Sequence, residues 1–280
     1  MSGTASAPAT TANLGPGFDV LALALEPRCI VTAAPADEWS TEHVGRHSPT
    51  PDDFDGVVAA AKTAVGDTPL HLTVENQIPI GRGLGSSAAA FVAGAAAAMR
   101  ATSGEASPDR VFRIAAALEG HADQVAAAVY GGLVLIPAEG MPMRLPIHPS
   151  LRAVVGVPET VLPTSEARAV LPNSYDRDVM IRSISRMGAL IAGLMSGDPS
   201  MLAAAHGDEI HETFRAPLSP EVDELIEVAR RAGALHVARS GAGPSVVALA
   251  TVETAGRVAS AFAKWGANVI DEPIDTSGLV

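Results

Sequence analysis

The chain has 280 residues, 48% of them hydrophobic, 18% charged and 4% aromatic, and 31 acidic against 19 basic side chains give a formal net charge of −12. That charge argues against a nucleic-acid binder, which needs a basic stripe to displace counterions, and one cysteine, Cys29, rules out an intramolecular disulfide framework or a cysteine-rich metal site. The longest small-apolar run, Ala88 to Met99, is too short for a membrane span. No signal-peptide core opens the chain, so a soluble cytoplasmic protein of one large or two modest domains is expected.

In chain order, Met1 to Ala12 reads as strand plus loop, and Val20 to Leu25 and Cys29 to Thr32 as two short strands. The polar stretch His43 to Asp55 predicts a surface loop. A helix over Val57 to Val65 and a strand over Leu70 to Glu75 follow, then a glycine-rich loop, Gly81 to Gly85, opening an Ala-rich helix from Ser86 to Met99. Pro108 to Leu118 and His121 to Val129 read as helices, and Gly132 to Ile136 as a strand. The proline-bracketed stretch Pro146 to Pro149 divides the chain, giving expected domains of 1–147 and 148–280. Beyond it come a strand (Arg152 to Val157) and helices over Asp178 to Met195 and Met201 to Ile210. The last sixty residues read helix (Glu221 to Ala232), strand (Ala234 to Ala238), glycine turn, strand (Ser245 to Ala250), helix (Glu253 to Trp265), strand (Ala267 to Ile270). Strands joined by a turn and flanked by helices predict an α+β fold.

Three glycines in five residues at Gly81, Gly83 and Gly85 let backbone N–H groups approach a ligand closely. Ser86 or Ser87 is placed to cap the following helix, whose N-terminal N–H groups and dipole favour an anion, most naturally phosphate. No G-x-x-x-x-G-K-[ST] or G-x-G-x-x-G spacing occurs, and no G-x-S-x-G elbow supports a hydrolase. Lysine occurs only at Lys62 and Lys264, so phosphate here must rely on backbone dipoles, a metal or an arginine such as Arg82. Taken alone, such a loop reads first as a packing device for a helix.

Two further segments alter that balance: P-A-T-T-A-N-L-G-P-G-F-D over Pro8 to Asp19, and R-S-G-A-G-P-S over Arg239 to Ser245. With P-x-x-x-G-L-G-S-S-A-A between them, the chain resembles the GHMP small-molecule kinases over roughly Pro8 to Ile270. Through E-G-H-x-D, P-T-S-E-A-R and F-R-A-P-L it is most similar to the homoserine kinases of that superfamily. The resemblance implies a two-domain fold, with an N-terminal ribosomal-protein-S5-domain-2-like nucleotide domain and a C-terminal ferredoxin-like α/β sandwich. It implies ATP-dependent phosphorylation of L-homoserine in threonine biosynthesis, by a homodimer with neither nucleic-acid nor membrane partners.

By the same resemblance Pro79, Ile80, Gly81, Arg82, Gly83, Leu84, Gly85, Ser86, Ser87, Ala88 and Ala89, with Gly241 and Gly243, would hold the nucleotide. Ser87 and Glu119 would hold Mg²⁺, a hard cation that prefers oxygen. Arg168 and Arg215 would take the substrate carboxylate, which suits a planar guanidinium. Asp19 would meet the ammonium, and Asn13, His121 and Thr164 would orient the rest. Asp123 and His121 both have the chemistry of a general base; the resemblance favours catalysis without one, with Asp123 orienting. Gln124 stands where the family pattern has asparagine, and a longer amide shifts its polar end by about 1.5 Å. The segment from Val44 to Gly56 lacks the Asn-plus-aliphatic pattern expected beside an adenine. The alternatives are a GHMP kinase for another small alcohol and a catalytically silent ligand sensor of the same fold.

Overall fold

The structure, a computed structural model, describes residues 1–49 and 54–280. The part of the predicted His43–Asp55 loop at 50–53 lies outside the described residues. The first half holds β1 (Gly3–Ala12), β2 (Leu21–Pro35), β3 (Ser40–Val44), α1 (Gly56–Val65), β4 (Leu70–Asn76), α2 (Ser86–Ser103), α3 (Pro108–Glu119), α4 (Asp123–Tyr130), β5 (Leu133–Leu135) and β6 (Met143–Leu145). The second holds β7 (Leu151–Val157), α5 (Thr164–Ala169), α6 (Arg177–Ser196), α7 (Pro199–Ala204), α8 (Glu212–Arg215), a 3₁₀ turn (Ala216–Leu218), α9 (Glu221–Arg231), β8 (His236–Arg239), β9 (Val246–Thr251), α10 (Val252–Trp265) and β10 (Asn268–Ile270).

The two short strands expected at Val20 and Cys29 are one strand. Its pairing with β1 jumps from Ala9 opposite Leu25 to Pro8 opposite Arg28, so Glu26 and Pro27 form a bulge that absorbs the proline. Strand β2 then pairs with β5 through Leu21–Leu23 and with β4 through Cys29–Pro35, in a six-stranded sheet. Helix α2 crosses this sheet with Ala88 to Ala98 almost wholly buried. Its small side chains permit close approach: a Cβ on Gly3 would lie 2.3 Å from Ala101 N, and one on Gly94 would lie 2.6 Å from Val57 O.

The second sheet is antiparallel in the order β10-β7-β9-β8. Its alternation is strict. Val154, Val246, Ala248 and Ala250 face α9 and α10 and pack with Leu225, Val258 and Phe262, while Ala153, Val155, Val247 and Leu249 join the core that contains α2 and the first sheet. One core therefore runs across the Pro146–Pro149 stretch. The C-terminus also returns to the first half: Ser6 and Val280 exchange backbone hydrogen bonds, and Arg28 pairs with Asp275.

One further expectation is corrected. The helix expected over Met201 to Ile210 stops at Ala204, because the Asp208 carboxylate gathers the N–H groups of Ile210, His211 and Glu212 into a turn. Helix α6 is long and apolar enough to cross a membrane by length and composition alone, but Leu190, Gly193 and Leu194 pack it into the domain.

Candidate active site

The phosphate-loop geometry starts from glycine. Gly81, Gly83 and Gly85 all have positive φ, between 66° and 72°. A Cβ on Gly83 would lie 2.1 Å from Ser240 O, and one on Gly85 would lie 2.0 Å from Thr10 Oγ1. Those neighbours belong to the other two glycine-containing motifs, so the three segments interlock. Thr10 N–H donates to Leu84 O, Ser240 Oγ donates to Gly83 O at 2.7 Å, and Gly241 N–H donates to Ala12 O. Gly243 supports this packing from outside the cavity: its N–H donates to Ser240 O, and a Cβ there would meet the Arg239 guanidinium at 2.4 Å.

The cap of α2 differs from expectation. Gly85, not a serine, holds the N-cap position in left-handed conformation, and no side chain among the described residues caps the helix. Ser86 Oγ accepts from Asn76, and Ser87 Oγ donates to Glu119 Oε1 at 2.8 Å. The first-turn N–H groups are thus left for a ligand. Ala89 N–H is already committed to Gly85 O, and the side chains of Ala88 and Ala89 are buried. Arg82 lines the same space as the loop, and its guanidinium donates to the carbonyls of Pro158, Ile80 and Glu159, tying the loop to the segment before α5.

This loop lines one end of a cavity of about 240 Å³. Asn13, Asp19, His121, Asp123, Thr164, Arg168, Arg215 and Gly241 line the rest, so most of the sequence-selected residues share one space. Asn13, Leu14 and Asp19 all have positive φ without being glycine, a strained backbone of the kind that clusters at functional sites. Asn13 holds the turn: its Nδ2 donates to Gly241 O at 3.0 Å, and its Oδ1 accepts the Asp19 N–H. Gln124 reaches between the loops, where a Cβ on Gly241 would lie 3.0 Å from its Nε2.

Charges of both signs meet at the far end. Arg168 grips Asp19 with Nη2–Oδ1 at 2.6 Å and Nη1–Oδ2 at 3.1 Å, both side chains about one-third exposed. Arg215 is buried; its Nε donates to Ala167 O and its Nη1 to Gly241 O and His211 Nδ1. Its Nη2 has no hydrogen-bond partner among the described residues. Burial, reinforced by Arg168, lowers the Arg215 pKa to about 10.

Sequence reading missed two residues here. Phe18 lies under both arginines, 5.7 Å from Arg168 Cζ and 5.3 Å from Arg215 Cζ, and stacks on His211 at 4.9 Å. His211 is buried and neutral, its pKa lowered by desolvation to about 4. Its Nε2 lies 3.0 Å from the Gly15 carbonyl, which can only accept, so Nε2 carries the proton and Nδ1 accepts from Arg215. Phe18 stood inside a motif, beside Asp19. Nothing local marked His211.

The remaining acids are perturbed by burial. Glu119 is raised to about 7 by desolvation, against the Ser87 hydrogen bond, and Asp123 to about 6 by desolvation and by Asp19. His121 is lowered by burial and by Arg168. A second cavity, of about 200 Å³, lies beyond Ser86 and Ser87 and is walled by Phe54, Val57, Ile80 and Phe91, with His43 bonded to Asp55 at 3.0 Å. No local sequence pattern marks it, because its walls come from separated elements.

Comparison with known proteins matches residues 54–132 to the GHMP kinases N terminal domain and 181–268 to the GHMP kinases C terminal domain. Among curated proteins the chain is 37% identical to a homoserine kinase of Moorella thermoacetica, covering 92% of each chain. It is 42% identical to one of Thermus thermophilus, covering 87% of this chain and 85% of the relative. A crystal structure of homoserine kinase from Cytophaga hutchinsonii superposes with a TM-score of 0.88 at 29% identity, over 100% of this chain and 96% of that one. A mevalonate kinase superposes at 0.71 with 14% identity, which shows a shared fold.

Proposed function

We infer that this chain, which belongs to the GHMP kinase family, is a homoserine kinase that transfers the terminal phosphoryl group of ATP to the side-chain hydroxyl of L-homoserine. The product, O-phospho-L-homoserine, feeds threonine biosynthesis. The observation that carries this reading is the juxtaposition of Asp19, Arg168 and Arg215 with the glycine loop in one cavity. An amino-acid zwitterion meets all three charges, whereas a neutral sugar leaves the buried Arg215 without an anionic partner.

Without substrate, Asp19 and Arg168 neutralise each other. Both are partly solvated, so parting them costs no more than about 1 kcal/mol. The substrate ammonium then meets Asp19, and the carboxylate takes Arg168 together with the pre-oriented Nη2 of Arg215. Asn13, Thr164 and His121 set the hydroxyl toward the loop, and the N–H groups of Gly81 to Ser87 cradle the phosphates. Ser87 and Glu119 supply a hydroxyl and a carboxylate side by side, a hard oxygen set that fits Mg²⁺. When bound, the metal neutralises phosphate charge in the loose transition state. Asp123 is assigned an orienting role, its Oδ1 already accepting the Gln124 N–H. The apolar cavity around Phe54 and Phe91 is assigned to the nucleotide base. A cytoplasmic homodimer completes this proposal.

ADP release measured over homoserine, mevalonate, shikimate and galactose tests the acceptor. Turnover is expected with homoserine and lost with Arg168→Ala; no turnover with homoserine would overturn the assignment.

A further inference from the structure

One guanidinium joins the glycine loop to the segment that leads into the substrate arginines. Arg82 Nη1 donates to Ile80 O within the loop at 3.1 Å. Its Nε and Nη2 donate to Pro158 O at 3.0 Å and to Glu159 O at 2.8 Å, 76 and 77 residues away in the chain. A second tie lies beside it: Leu162 N–H donates to Gly81 O at 3.0 Å, and Val161 Cγ1 lies 2.5 Å from where a Cβ on Gly81 would stand. The stretch 158–163 belongs to no helix or strand, and Glu159, Thr160 and Val161 are exposed, so few contacts fix its path. A third contact, Thr160 Oγ1 donating to Glu221 on α9, leads away from the loop.

This stretch runs directly into α5, with Pro163 at the N-cap. Helix α5 carries Arg168, which grips Asp19, and its Ala167 O accepts the Nε of Arg215. The placement of α5 thus sets both arginines. A helix of six residues has little stability of its own, so that placement comes from what α5 is tied to. Phosphate bound to the loop N–H groups fixes the loop, and a fixed loop holds 158–163. The ordering of α5 is then already met when the amino acid arrives. Only a planar fork does this. Three of the five guanidinium N–H bonds reach carbonyls on both sides of the cleft, two of them on successive residues, whereas a lysine ammonium is a point charge without fixed directions.

We propose, resting on the homoserine-kinase reading above, that Arg82 is a positioning residue that makes nucleotide and homoserine binding cooperative by tying the glycine loop to α5. Linkage is reciprocal, so the factor by which nucleotide tightens homoserine binding equals the factor by which homoserine tightens nucleotide binding.

Calorimetric titration of the full chain with L-homoserine, with and without saturating AMP-PNP and Mg²⁺, reads that factor. In wild type the nucleotide analogue is expected to lower the homoserine Kd about tenfold. Arg82→Lys keeps the charge and loses the fork, Arg82→Gln loses both, and each is expected to bring the factor below about twofold. Thr160→Ala cuts the contact with α9 but not the one with the loop, and is expected to keep the wild-type factor. Partial misfolding lowers the binding stoichiometry and leaves this ratio of affinities unmoved. Wild type that binds no homoserine overturns the functional reading and the proposal with it. Wild type that binds homoserine equally with and without nucleotide overturns the proposal alone. A factor retained in Arg82→Lys assigns Arg82 to phosphate charge and the linkage to the Gly83–Ser240 contact, which also overturns it. A factor lost in Thr160→Ala as well makes cooperativity a property of any loosened segment and overturns the specific tie.

Discussion

Replacing Glu119 with glutamine should stabilise the protein while disabling it. The Glu119 side chain is only 9% exposed, and burial raises its pKa from 4.5 to about 7. A carboxyl whose pKa is raised on folding holds its proton more tightly folded than unfolded, so stability falls as pH climbs from 4.5 to 7 and stays reduced above that window. At 1.36 kcal/mol per pH unit the ionised carboxylate costs about 3 kcal/mol at pH 8 and almost nothing at pH 4. Glutamine is isosteric, and its carbonyl still accepts the Ser87 hydroxyl 2.8 Å away. With an unfolding entropy near 2.1 cal/mol/K per residue over 280 residues, the gain at pH 8 corresponds to a Tm rise of about 5 °C.

The assay is thermal and urea unfolding of both proteins in EDTA at pH 5 and pH 8, repeated with Mg²⁺ and ATP. Glu119→Gln should exceed wild type at pH 8, and the difference should shrink at pH 5. Added Mg²⁺ with nucleotide should raise wild type by mass action and close the gap from below. A variant no more stable than wild type at pH 8, or a gain independent of pH, would refute the reasoning.

Gly83→Ala should lower both Tm and activity by at least about 2 kcal/mol equivalent, because its Cβ would meet Ser240 O at 2.1 Å at a φ of +72°; unfolding and ADP-release assays check it. His211→Leu should raise KM for homoserine about tenfold, near 1.4 kcal/mol, with KM for ATP unchanged, because its contacts with Arg215, Phe18 and the Gly15 carbonyl all lie at the end of the cavity away from the glycine loop. Movement of the ATP KM alone would contradict that. Asp123→Asn should reduce kcat by less than about a thousandfold. If Asp123 were the base, wild-type kcat would rise through its pKa of about 6 and that limb would vanish in the variant.

The glycine loop, the Ala-rich helix and most of the cavity residues were legible because their signals are local: turn glycines, uninterrupted apolar runs, short motifs. Strand β3 was not, since Ser40–Val44 is a polar edge strand whose pairing with β4 only the tertiary structure reveals. Helix α5 has six residues and too few turns to show periodicity. Asn76 takes Ser86 Oγ and Glu119 takes Ser87 Oγ, so cap chemistry read from sequence lost to partners distant in the chain. His211 was invisible for the same reason: its value lies in joining Gly15 to Arg215, and neither contact has a sequence pattern.

The lysine-poor composition acquires a physical meaning at this point. A mobile ammonium tolerates a loosely held loop, since it can follow the phosphate it neutralises. N–H dipoles cannot follow; they work only if the backbone already points them at the charge. Among the described residues no lysine lines the cavity, and the guanidinium of Arg82 donates to three carbonyls. Orientation therefore has to come from packing, and the contacts of Gly83 with Ser240 and of Gly85 with Thr10 provide it. On this view the three motifs are one device. A change in any one loop should weaken phosphate binding even where it touches no phosphate, and Gly243, outside the cavity but packed on Arg239, is the position where that separation is cleanest.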